Sequence, residues 1–253
     1  MPRATLNNSP DETPVTQLNS ANAASMSTAP AEASPWSAIA TSDNATLKPL
    51  SGPAAALKRL EDFVLASVGL LLLAPLLVLI SIVIKLDSTG PALFCQPRNG
   101  RNREVIRVYK FRTMYQSGSN EFRQASRDDP RITRVGAFLR RTSLDELPQL
   151  FNVVQGSMSL VGPRPPLRVY VRAYPALYGA VLASRPGITG LASLRFHAHE
   201  ERLLAGCETA AQTDAIYRRR CIPRKAQLDL LYQKNRNMCF DMILLWETVQ
   251  KPF

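Results

Sequence analysis

Two carboxylates stand side by side in this chain, Asp145 and Glu146, within R-R-T-S-L-D-E-L-P-Q-L-F-N-V-V-Q, which runs from Arg140 to Gln155. A basic pair, Arg140 and Arg141, precedes them, and a short apolar segment follows. Adjacent acids can attack an electrophilic centre, hold a divalent cation or move a proton. Ser143 with Glu146 three residues on has capping-box spacing, and Pro148 suits the first turn of a slightly later helix. Either start puts the acids at or just before a helix N-terminus, where the dipole favours anions. Helix capping plus salt bridges to the nearby arginines is the ordinary explanation of an isolated Asp-Glu pair. The other motifs of the chain decide between the two.

Several of those motifs suit an anionic substrate. Lys110 and Arg112 lie two apart on an expected strand and so share a face. Gly162, Pro163 and Pro165 set a rigid turn that presents Arg164, and Arg185 opens the turn R-P-G-I-T-G at 185–190. Asp241 sits in the apolar run M-C-F-D-M-I-L-L-W-E-T-V, where a carboxylate needs a partner, which makes it a further site candidate. His197 and His199 would face one way on a strand; a metal site there has Cys207 as its only obvious nearby thiol. The basic run Arg218, Arg219, Arg220, Arg224 and Lys225 reads as a solvated face. It has no aromatic interleaving or recognisable nucleic-acid motif, so no nucleic-acid partner is expected.

The scaffold that must position these groups is also visible. Residues 92–96 and 104–111 read as two strands joined near Asn99-Gly100, a basic hairpin whose arginines suit a solvated or lipid-headgroup-facing edge. A short basic amphipathic helix is expected over 131–141, and a helix over 167–183 with a break near Pro175. Residues 115–130 read as a polar loop. Residues 238–249 suit either a helix lying in a membrane interface or a core helix.

Phe63 to Ile84 is an apolar run of 22 residues without a charge, long enough for a membrane helix. Pro75 near its middle should kink it. Lys58 and Arg59 flank one end and Lys85 the other, so the positive-inside rule does not place the ends on opposite sides. A helix that enters the membrane and turns back is physically allowed, and spanning also stays open. Residues 1–57, rich in Ala, Ser, Thr, Pro and Asn, are expected to form a disordered tail with no secretory leader.

The chain carries 31 Lys and Arg against 20 Asp and Glu, a formal +11. Up to Asp62 there are four basic and six acidic residues, so the rest carries 27 against 14, or +13. Such a basic domain expects an anionic partner. Four scattered cysteines without a C-x-x-C suit a reduced, cytosol-facing domain.

Taken in order, the motifs from about Lys58 to Phe253 resemble the bacterial sugar transferases, the monotopic phosphoglycosyl transferases. They are K-R (58–59), Y-K-F-R-T-M (109–114), R-I-T-R-V-G (131–136), T-S-L-D-E-L-P-Q-L-F-N (142–152), M-S-L-V-G-P-R-P (158–165), R-P-G-I-T-G (185–190) and L-D-L-L-Y (228–232). The resemblance implies a small mixed α/β domain with a β-hairpin and amphipathic interfacial helices. It would be anchored on the cytoplasmic face of the bacterial inner membrane by a re-entrant helix spanning 58–86 and broken at Pro75, with the catalytic domain at 87–253. It implies transfer of a sugar 1-phosphate from a nucleoside diphosphate sugar, usually UDP-linked, to undecaprenyl phosphate, with release of UMP and a need for Mg²⁺. This is the first membrane step of exopolysaccharide, O-antigen or glycoprotein glycan synthesis.

On the matching positions Asp145 is the nucleophile, Glu146 its partner acid, Lys110 and Arg164 the basic site residues, and Asp241 a family aspartate. Arg112, Arg140 and Arg185 are further phosphate-binding candidates of this chain, and Asp145, Glu146 and Asp241 are the metal candidates. At 74–75 the family's Ser-Pro is Ala-Pro, and at 193–197 its usual Gln-Val-Asn/Ser-Gly-Arg is S-L-R-F-H, leaving Arg195 and His197 as substitutes for the missing arginine. Two other classes remain: a membrane-tethered binder of anionic lipid or nucleic acid, and a catalytically degenerate family member. A homo-oligomer stays open.

Overall fold

The computed structural model describes residues 50–115, 129–207 and 209–250. Most of the expected disordered tail, and most of the polar loop expected at 115–130, lie outside the described residues. Helix α1 (Gly52–Asp87) runs along the rest of the fold. It begins ahead of the expected boundary at 57, after an extended Ser51 and with Pro53 in the first turn, where a missing N–H costs nothing. It continues through Pro75, without the expected break. A proline forfeits one backbone hydrogen bond, and the leucine-rich flanks are good helix formers that keep the helical path.

Among the described residues α1 is the helix long and apolar enough to cross a membrane. One stripe of it, through Asp62, Ala66, Ile80 and Ile84, is buried against the body. The other faces expose Leu71, Leu72, Val78, Leu79 and Leu86.

Strands β1 (Leu93–Asn99) and β2 (Val105–Phe111) pair antiparallel, from Leu93 opposite Phe111 to Asn99 opposite Val105. Their connection is longer than the expected tight turn, with a 3-10 turn at Arg101–Arg103 in which Asn102 and Arg103 take φ of 54° and 65°. The Gly100 N–H donates to the Glu104 carbonyl (2.7 Å) and Asn99 Nδ2 to the Arg103 carbonyl (2.7 Å), which closes the loop.

Helix α2 (Arg134–Arg141) starts at Thr133, whose hydroxyl accepts from the Gly136 N–H at 2.9 Å. A Cβ at Gly136 would collide with the Thr113 carbonyl, so glycine is what lets α2 lie against the end of the hairpin. Helix α3 (Gln149–Gln155) leads through Gly156, at φ 90°, to β3 (Ser159–Val161). Helices α4 (Arg168–Ala173) and α5 (Pro175–Val181), separated at Pro175 as expected, cross to β4 (Gly187–Thr189), parallel to β3.

Helices α6 (Leu191–Ala205), α7 (Ala210–Ile216), α8 (Ile222–Asn235) and α9 (Met238–Gln250) complete a helix-rich mixed α/β fold with two small sheets. The H-x-H pair lies on α6, not on a strand. Residues two apart on a helix do not face together, so the pair forms no metal site. Within the expected basic run, Arg218 bonds Asp214 (2.6 Å) and Lys225 bonds Glu200 (2.9 Å), so part of it is structural. Helix α9 buries Asp241 and Leu244, as the core reading expects of part of it, and exposes Met238, Met242, Ile243, Trp246 and Val249.

Three apolar clusters fill the body. One joins α4, α5 and α8 through Tyr170, Leu177 and Leu230. The second gathers Ala66 of α1, Val108, Val153, Met158 and Leu244. The third seats Ile80 and Ile84 of α1 on Phe111 and Leu139.

Candidate active site

The acid pair stands on a 3-10 turn, Leu144–Glu146, separate from α3. Ser143 takes a left-handed conformation (φ 54°) and its side chain caps nothing, so the expected capping box does not form. Glu146 finds stronger partners. Its Oε1 accepts from Lys110 Nζ of β2 at 2.6 Å, and Arg164 grips both oxygens, with Nη1 at 2.9 Å from Oε2 and Nη2 on Oε1. Charge-assisted bonds of this kind are about twice as strong as neutral ones, which a cap bond cannot match. Burial opposes ionisation of Glu146, but Arg164 and Lys110 outweigh it and hold the carboxyl well below its ordinary range.

Asp145 is electrostatically the opposite. It is buried, yet among the described residues nothing hydrogen-bonds to its carboxylate. Burial first, then the Glu146 charge, push its pKa up against the pull of Lys110, Arg164 and Arg140. Arg140 reaches the same neighbourhood from the end of α2, its Nε held by Thr113 Oγ1 at 2.8 Å. Burial weakens its charge, and Asp145 supports it. One acid is thus neutralised and fixed, and the other is left unpaired beside three cations.

Groups that no local pattern marks hold this arrangement. Asn152 of α3 imitates a strand edge: its Oδ1 accepts from the Tyr109 N–H (3.0 Å) and its Nδ2 donates to the Arg107 carbonyl (2.6 Å). That ties the helix after the acid turn to the strand that carries Lys110. Arg59 of α1 donates to the Val153 (2.6 Å) and Val154 (2.7 Å) carbonyls, capping the C-terminal end of α3. Arg98, assigned from sequence to a solvated or lipid-facing edge, lies near Arg164 instead. It bonds the neutral Gln96 Oε1 (2.8 Å through Nη2), and burial, then Arg164, lower its pKa to about 10. Its role had no signal in sequence beyond one arginine among several.

Three expected site residues fall elsewhere. Arg112 is buried and donates to the Ser88 and Thr89 carbonyls (2.7 Å each), holding the end of α1. Arg185 lies near Arg101, Arg59 and Asp62. Asp241 pairs with Lys58 (2.8 Å) and accepts from Tyr232 (2.7 Å). Of the two proposed substitutes for the family arginine, Arg195 pairs with Glu247 (2.8 Å) and His197 lies 3.8 Å from Glu201, so neither is bound to the acid turn.

No group of three metal-ligating side chains exists among the described residues, so Asp145, Glu146 and Asp241 do not form one cation site. Mg²⁺ is commonly held by one or two carboxylates together with substrate phosphates. The unpaired Asp145 fits that requirement; Glu146, with both oxygens engaged, and Asp241 do not.

The site thus combines a buried carboxylate without a hydrogen bond, three nearby cations and an exposed apolar helix. The chain belongs to the bacterial sugar transferase family, whose pattern matches residues 53–253. It is 40% identical over 209 residues to the UDP-glucose:undecaprenyl-phosphate glucose-1-phosphate transferase of Escherichia coli, covering 81% of this chain and 42% of that protein. It is 41% identical over 203 residues to the undecaprenyl-phosphate glucose phosphotransferase of Komagataeibacter xylinus, covering 77% of this chain and 35% of that protein. With the exopolysaccharide production protein ExoY of Rhizobium meliloti it shares 33% over 223 residues, 82% of this chain and 88% of that one. The chain therefore spans less than half the length of the first two relatives and most of the third.

Proposed function

We propose that this protein is a phosphoglycosyl transferase that moves a sugar 1-phosphate from a UDP-sugar to undecaprenyl phosphate and releases UMP. The observation that carries this reading is the contrast within the acid pair. A carboxylate kept unpaired and close to Lys110, Arg140 and Arg164 is arranged to meet a phosphate. In the first step an Asp145 oxygen attacks the phosphorus that bears the sugar. The bond from that phosphorus to the bridging oxygen breaks, and the oxygen leaves with UMP. In the second, a phosphate oxygen of the lipid attacks the same phosphorus, the Asp145–phosphorus bond breaks, and the carboxylate is restored. Phosphoryl transfer of this kind is mostly positioning and charge neutralisation, which Arg164, Lys110 and Arg140 provide. Glu146 holds Lys110 and Arg164 in register. A bound Mg²⁺ would add neutralisation of the diphosphate beside Asp145.

The anchor fits the same reading. Asp62 and Ala66 near one end of α1, and Ile80 and Ile84 near the other, pack on the same body. That supports a helix whose two ends lie on one side of a bacterial inner membrane, with the body facing the cytoplasm.

The test is UMP release from donor alone. Single-turnover UMP with a protein mass increase equal to one sugar phosphate is expected from the wild type, and neither from Asp145→Asn. Near wild-type turnover by that variant would overturn the covalent route.

A further inference from the structure

We propose that the cavity between the start of α1, the start of α9 and the loop before β4 binds the phosphate headgroup of an anionic membrane lipid. The cavity measures about 300 Å³, and Asp145, Glu146, Lys110 and Arg164 do not line it. Four cations line it, Lys58, Arg101, Arg185 and Arg236, against two carboxylates, Asp62 and Asp241.

Both carboxylates are already used. Lys58 lies 2.9 Å from Asp62 and 2.8 Å from Asp241. Asp62 also accepts from Ser159 Oγ (2.8 Å) and the Leu160 N–H (3.1 Å), and Asp241 from the Tyr232 hydroxyl (2.7 Å). The lining still holds two more cations than carboxylates, although Asp62 gives the Arg185 charge some support. Arg185 makes no hydrogen bond or ion pair among the described residues, and burial, then Arg101 and Arg59, act against its charge. Arg101 Nε and Ser184 Oγ are buried without a hydrogen-bond partner among the described residues. Buried donors are nearly always satisfied, and clustered guanidiniums are costly without a counter-ion. A phosphate answers both needs, since it carries charge and accepts several bonds at once.

The walls point to a lipid as the source of that phosphate. Leu50, Ala54 and Leu57 of the α1 end and Met238 of α9 line the cavity. Leu57 and Met238 are half-exposed and border the open apolar faces of the two helices, where Leu60, Val64, Met242 and Trp246 are also exposed. A headgroup fills a cavity of this size, while acyl chains lie along those faces.

The experiment uses the full chain in nanodiscs of phosphatidylcholine with or without phosphatidylglycerol. Native mass spectrometry counts retained lipid, and thermal unfolding in detergent compares added phosphatidylglycerol with inorganic phosphate. The wild type should retain one phosphatidylglycerol and gain Tm from it. The Arg101→Gln/Arg185→Gln double variant should lose both effects, and Asp145→Asn should keep them. Ser184→Ala guards against a misfolded double variant, because removing an unsatisfied hydroxyl leaves the lipid-free Tm unchanged while retention drops several-fold. Equal retention by wild type and Ser184→Ala, or no preference over phosphatidylcholine, overturns the site. A Tm gain from inorganic phosphate equal to that from the lipid overturns the lipid assignment.

Discussion

Neutralising the two adjacent acids one at a time should move stability in opposite directions. Asp145 is buried without a partner and its carboxyl is pushed up, chiefly by burial. Desolvation works against the ionised carboxylate and Asn carries no charge, so Asp145→Asn should stabilise by about 1 kcal/mol. For a domain of this size that raises Tm by about 2–4 °C. Glu146→Gln instead strips the counter-charge from Lys110 and Arg164. Breaking a fully buried pair costs about 3–5 kcal/mol. Because the Arg164 side chain is 42% exposed, solvent screening brings the expected loss to about 2 kcal/mol.

The pH dependence separates the two further. A carboxyl raised on folding binds more protons in the folded state, so its penalty is full above its folded pKa. The gain from Asp145→Asn should therefore shrink as pH falls through the raised value towards the ordinary aspartate range near ~3.9. Glu146 is held below its ordinary range, so its contribution is full above the ordinary glutamate range and fades as pH falls below it. Thermal unfolding of wild type and both variants in one detergent, from neutral to acidic pH, measures all of this. A Tm loss in Asp145→Asn comparable to that of Glu146→Gln would refute the unpaired state of Asp145.

Asn152→Ala removes the two bonds to β2, so it should destabilise by about 2–3 kcal/mol and lower kcat more than it changes donor KM. Urea unfolding with steady-state kinetics checks this, and an unchanged kcat would count against a positioning role. Cysteines at Ser51 and Ser88, with Cys95 and Cys239 replaced by serine, should both escape an impermeant external thiol reagent in intact cells. External labelling of position 51 alone would show a helix that spans.

What sequence could show divides along a physical line. The acid pair, Lys110, Arg164, the hairpin and the helix break at Pro175 were legible because types and near-neighbour spacing specify them. Arg59 capping α3, Asn152 bracing β2 and Lys58 meeting Asp241 depend on partners far apart in the chain, about which local spacing says nothing. The capping box illustrates competition: Ser143 and Glu146 have the right spacing, but two cations arriving from β2 and the turn at Arg164 take the glutamate away. Arg112 shows the same effect in reverse. Two apart from Lys110 on the chain, it lies just past β2, where its guanidinium meets the open carbonyls after α1.

Those grips at both ends of α1 have a consequence for the lipid environment. Near its start, Asp62 is held by Ser159 and the Leu160 N–H; past its end, Arg112 takes the Ser88 and Thr89 carbonyls. A free spanning helix answers a thicker or thinner bilayer by tilting, and whatever it carries tilts with it. A helix fastened at two points to one body has no such freedom. Its height and angle are set by protein contacts, and under the proposed one-sided anchoring it registers only the leaflet it touches. Hydrophobic mismatch should then be nearly invisible to this protein, and the proposed transfer should run at a flat rate across acyl-chain lengths that would reorient a spanning anchor.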